Sequence, residues 1–78
     1  MTNLEKYTQA FVDALEVSTA DAPGLVYGKS AAWDSVGHMT LVAKLEDQFD
    51  IMMEMDDIVD LSSFEKGKEI LRKYAVEL

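Results

Sequence analysis

Apolar residues recur at helical steps in several stretches of the chain, and no stretch shows the apolar–polar alternation of a strand. From Thr2 to Glu16, the positions Leu4, Tyr7, Phe11 and Leu15 form one stripe at three- and four-residue spacing, the signature of an amphipathic helix. Thr2 followed by Glu5 fits a capping box, in which each side chain satisfies the other's backbone N–H. The periodicity dissolves from Val17 to Trp33. Ser18, Thr19, Asp21, Pro23, Gly24 and Gly28 predict a long connection there, self-packed through Leu25, Val26, Tyr27 and Trp33. A second helix is predicted from Asp34 or Ser35 to about Phe49, with Val36, Met39, Val42, Leu45 and Phe49 as its apolar positions, Leu41 flanking and Asp34 as N-cap. Asp50 and Ile51–Met53 form a connector. A short third helix is expected from Met55 or Asp56 to Leu61, with Asp56 and Asp57 at its dipole-favoured end. The last helix is expected to start at Ser62, with Glu65 completing a second capping box. It buries Phe64, Ile70, Leu71 and Tyr74, and carries Arg72 and Lys73 near its C-terminal end. The expected fold is all-α: a small four-helix bundle of three main helices and a short third one, with residues 1–78 as a single domain.

Composition narrows the function classes. Without cysteine in its 78 residues, the chain has no disulfide scaffold, no Cys-ligated metal and no thiol nucleophile of its own. No apolar run approaches the roughly 20 residues of a membrane span, and no signal-peptide pattern opens the chain. The expectation is a soluble, cytoplasmic, monomeric domain. Seven basic against fifteen acidic residues give a net charge of −8, which disfavours nucleic acid and anionic membranes as partners. The charge is concentrated: residues 35–60 hold seven acids and one base.

Three candidate chemistries arise within that middle segment. Asp34, Ser35 and His38 hold the residue types of a hydrolase, and Ser35 and His38 lie one helical turn apart. A triad also needs an oriented base, an oxyanion hole and a substrate cavity, and the leading Gly of a nucleophile elbow is missing. His38 is expected to be an exposed helix residue, and no catalytic residue is assigned. Asp56, Asp57 and Asp60 invite a calcium site, but Ile58 and Val59 interrupt them, with no central Gly or terminal Glu following. No metal site is assigned. Ser35 places a hydroxyl just inside a helix N-terminus, where backbone N–H groups favour an anion. A phosphate ester would be tolerated there, and so would a plain capping serine.

Trp33-Asp34-Ser35-Val36-Gly37-His38-Met39, followed by Leu41-Val42-Ala43-x-Leu45-Glu46-Asp47-x-Phe49, strongly resembles the attachment region of acyl carrier proteins. In that family a serine after Asp opens the second helix of a four-helix bundle. Asp56-Asp57-Ile58-Val59-Asp60-Leu61-Ser62-Ser63-Phe64 resembles the family's short third helix and the start of its fourth. The resemblance implies a non-enzymatic carrier. Ser35 would bear 4′-phosphopantetheine, installed from coenzyme A by a phosphopantetheinyl transferase with magnesium, and Asp34 would be its recognition neighbour and cap. The prosthetic thiol would supply what a chain without cysteine lacks. Partners would be acyl- or aminoacyl-loading and acyl-transfer enzymes. They would meet Val36, Met39 and Ala43 at the apolar centre and Glu46, Asp47, Glu54, Asp56, Asp57 and Asp60 at the charged edge.

Fatty-acid-synthesis members of the family usually carry further acids early in the second helix. Here those places hold Gly37, His38 and Thr40, and Lys44 adds a positive charge. With Trp33, these departures resemble specialised stand-alone carriers of surface-polysaccharide, secondary-metabolite or aminoacyl-transfer pathways. An aminoacyl or peptidyl carrier, or an unmodified interaction subunit of the same fold, is the alternative. Met39, Met52, Met53 and Met55 cluster near the second helix. They are expected either to fill the core or to repack around acyl chains that withdraw into the bundle.

Overall fold

The computed structural model describes residues 1–78. Four α-helices make up its regular structure: α1 (Asn3–Leu15), α2 (Ser35–Phe49), α3 (Met55–Asp60) and α4 (Phe64–Arg72). The capping box at α1 is present: the Glu5 amide donates to the Thr2 hydroxyl, and the Thr2 amide donates to the Glu5 carboxylate at 2.9 Å. Hydrogen bonding from Thr2, its backbone amide first, holds the Glu5 carboxyl below its ordinary range. α1 and α2 both end on a residue in the left-handed conformation, Glu16 and Asp50, whose amides reach back to Val12 and Glu46.

α1 buries Tyr7, Ala10, Phe11 and Leu15, while Leu4, expected in the same stripe, is exposed. α2 buries Leu41, Val42 and Leu45, so Leu41 belongs to the core rather than flanking it. Val36 and Met39, apolar positions of the helix that are also expected to meet partners, point outward with 74% and 55% of their surface exposed. The long connection folds against the bundle. A 3₁₀ turn at Ala22–Gly24 buries Ala22, and Trp33 is fully buried. The Tyr27 amide donates to the Ser62 carbonyl and the Phe64 amide to the Leu25 carbonyl, which stitches the connection to the junction between α3 and α4. Gly28 takes φ +80° in this stretch, a conformation that favours glycine.

The start of α4 differs from the expected one. The cap is Ser63, whose hydroxyl accepts from the Lys66 amide at 2.9 Å, and Ser62 instead gives its carbonyl to the connection. The helix ends at Arg72, and Tyr74 lies beyond it, partly buried. At the centre, Phe11 packs edge-on against Trp33 and tilted against Phe64, and Tyr7 meets both Phe11 and Phe64. The buried Tyr7 hydroxyl donates to the Phe64 carbonyl at 2.6 Å, and burial pushes its pKa up. Of the four clustered methionines, Met53 joins this core, whereas Met39, Met52 and Met55 are exposed and do not fill it.

Candidate functional site

Ser35 is the first residue of α2 and is exposed. Its helix starts there because Asp34, in extended conformation, turns its carboxylate back to accept from the Gly37 amide at 2.8 Å. Gly37 itself is dictated by packing: a Cβ there would lie 2.5 Å from the Ala32 carbonyl oxygen and 2.9 Å from a Leu15 methyl. No side chain larger than glycine's has room at this position. With Asp34 holding one first-turn amide and α2 carrying no acid in its first turn, a phosphate ester on Ser35 fits the exposed, dipole-favoured end of the helix.

Next along α2, His38 departs from its expected exposed setting. It is partly buried, with Nδ1 accepting from the Trp33 indole N–H at 2.9 Å and Nε2 lying 2.7 Å from the Ile58 carbonyl of α3. Nδ1 accepts, so the neutral ring carries its proton on Nε2 and donates it to Ile58. The ring stacks on Trp33 and meets the Tyr27 ring edge-on at 5.1 Å. Both ring nitrogens are engaged, which leaves neither to activate Ser35. A groove of about 290 Å³ opens beside this pair, lined by Tyr27, His38, Ile58, Val59, Leu61 and Ser62.

Most of the residues expected at a partner face are solvent-exposed. Val36, Met39 and Ala43 lie exposed along one side of α2 at three- and four-residue steps, with Asp47 continuing the line. On α3, Met55 and Val59 are exposed beside Asp56 and Asp60, and Glu54 is exposed at its cap. Glu46 is half-buried and accepts from the Met53 amide at 2.9 Å, fastening the connector.

Asp57 does not belong to that face. It is buried, accepting from Lys73 Nζ and the Tyr74 hydroxyl, each at 2.5 Å, while that hydroxyl accepts from the Glu54 amide. The node ties α3 to the C-terminal segment. The hydrogen bonds from Lys73 and Tyr74 hold the Asp57 carboxyl below the usual carboxylate range, against the opposing effect of burial. Asp57 in turn raises the pKa of both partners. Sequence reasoning missed this node because an acid in a first helical turn reads as a solvated, dipole-favoured residue. No group of three or more His, Asp or Glu side chains is placed to hold a metal ion.

Comparison with protein-family models, with curated proteins and with solved structures finds no match.

Proposed function

We propose that this protein is an acyl carrier that bears 4′-phosphopantetheine on Ser35 and presents a thioester-bound acyl or aminoacyl group to partner enzymes. The observation that carries the proposal is the setting of Ser35. It is an exposed serine opening a capped helix, beside an exposed apolar line on α2 and an acidic, apolar-tipped α3. The sequence resemblance runs through the same residues. When bound, the prosthetic group supplies the thiol that the polypeptide lacks. Asp34 orders the first turn, and Val36, Met39 and Ala43 form the apolar contact. Asp47, Glu54, Asp56 and Asp60 supply the charge that steers basic partners. Asp57 is withdrawn from this role because it is buried. The chain does no chemistry on the cargo; tethering raises the cargo's effective concentration at a partner's active site.

We read the departures Trp33, Gly37 and His38 as those of a specialised pathway rather than core fatty-acid synthesis; Trp33 and His38 join the connection to α2 and α3, and Gly37 sits tight against Ala32 and Leu15. The intact mass of the protein purified from its native host, before any denaturing hydrolysis, tests the reading. One added phosphopantetheine, free or acylated, is expected. A population wholly at the polypeptide mass would instead favour an unmodified interaction subunit.

A further inference from the structure

The seam between α2 and α3 beside Ser35 is closed by a polar staple. Trp33 donates to His38, and His38 meets the Ile58 carbonyl, at 2.9 and 2.7 Å. Trp33 is fully buried, so its indole N–H has no water to turn to. The core already holds Leu41, Leu45 and Leu61, each at most 1% exposed. His38 is one helical turn from Ser35, on the side of α2 that faces α3. A chain leaving Ser35 for the interior along this seam must therefore part the staple. Doing so strands a buried donor and a carbonyl without partners, a cost that an apolar chain cannot repay with hydrogen bonds of its own.

In front of the staple lies the groove of about 290 Å³, at the lower edge of the roughly 300–1,000 Å³ of small-molecule sites. Its walls are mostly apolar, formed by Tyr27, Ile58, Val59 and Leu61, with His38 and Ser62 as the polar residues. Resting on the carrier reading above, we infer that His38 sets the cargo class. It bars extended aliphatic chains from the interior and leaves the outer groove to a short acyl group bearing a hydrogen-bonding substituent. His38 acts here as a specificity-determining residue and takes no part in any bond making.

The test uses full-length protein converted with coenzyme A, magnesium and a broad-specificity transferase, and then loaded with 3-hydroxybutyryl or octanoyl groups. Mass after the first step separates the two claims: absence of the added group overturns the carrier reading itself, and this inference with it. On modified protein, 3-hydroxybutyryl is expected to shift NMR signals of Tyr27 and Ser62. Octanoyl is expected to leave the Trp33 indole N–H and the Leu41 and Leu45 methyls in place and the melting temperature unchanged. His38→Ala, and Trp33→Phe as a variant that keeps an aromatic ring, should let octanoyl in and raise the melting temperature by about 4 °C or more over the unacylated variant. Wild-type protein in which octanoyl moves those core signals and raises the melting temperature would overturn the assignment. Two folded variants that gain nothing from octanoyl would overturn it as well. The wild-type NMR result decides the matter even if neither variant folds.

Discussion

Gly67 and Asp57 show at the residue scale how context reverses an ordinary preference. Gly67 sits inside α4, where glycine costs about 1 kcal/mol relative to alanine, so propensity alone predicts that Gly67→Ala stabilises. A Cβ there would instead land on the buried Tyr7 hydroxyl and close on a Leu61 methyl at 2.8 Å. Gly67→Ala is expected to destabilise by roughly 1–3 kcal/mol, the usual cost of overpacking. Removing the hydroxyl with Tyr7→Phe should cost less in that background than in wild type, which a double-mutant cycle by chemical denaturation measures. Asp57 contributes to acid stability. Its folded-state pKa lies below the ordinary 3.8, so its contribution is present above that value and is lost as pH falls through the folded one. Lys73, raised by the same contact, contributes fully below its ordinary 10.5 and loses that contribution as pH rises through its folded value. Asp57→Asn should lower stability at neutral pH and flatten the acid limb below about pH 4. Urea titrations across pH that give both proteins the same acid dependence would contradict this role.

At the scale of elements, α2 depends on its cap. Asp34 satisfies the Gly37 amide, so Asp34→Ala should cost about 0.5–2 kcal/mol, read by thermal or chemical unfolding; an unchanged stability would mean that water replaces the cap without penalty. The helices α1 and α2 were legible in the sequence almost to the residue, because a stripe and a cap coincide at each start. The start of α4 was one residue off, since Ser62 and Ser63 are chemically equivalent caps and only the bridge from the long connection to the Ser62 carbonyl decides between them. The outward face of α2 was not legible in the periodicity and was expected only through the resemblance. Val36 and Met39 keep helical spacing with the core positions, and nothing in a one-dimensional pattern says that a helix buries Leu41 and exposes Met39. The capped, exposed serine at the start of α2 was legible through Asp34-Ser35, whereas the Trp33–His38–Ile58 staple was not, because one of its three groups is a backbone carbonyl twenty residues away.

The whole molecule couples a small core to a lopsided charge. Its Cα radius of gyration of 11.1 Å matches the roughly 11.5 Å of a single compact domain of this length, and no helix is long and apolar enough to cross a membrane. Exposed acids share the helices that carry the apolar positions, Asp47 on α2 and Asp56 and Asp60 on α3, so on the carrier reading affinity for the transferase or a loading enzyme should fall as salt rises. Charge reversal at Asp47 and Asp56 should slow association while leaving stability nearly unchanged; an affinity indifferent to both would remove the acidic face from recognition. The most direct measurement concerns Ser35. Wild-type protein, Ser35→Ala and a Ser62→Ala control are incubated with coenzyme A, magnesium and a broad-specificity phosphopantetheinyl transferase, and their intact masses are recorded. One phosphopantetheine on wild type and on the control, and none on Ser35→Ala, is the expected result. An unmodified wild type, or labelling of Ser35→Ala at Ser30, Ser62 or Ser63, would contradict it.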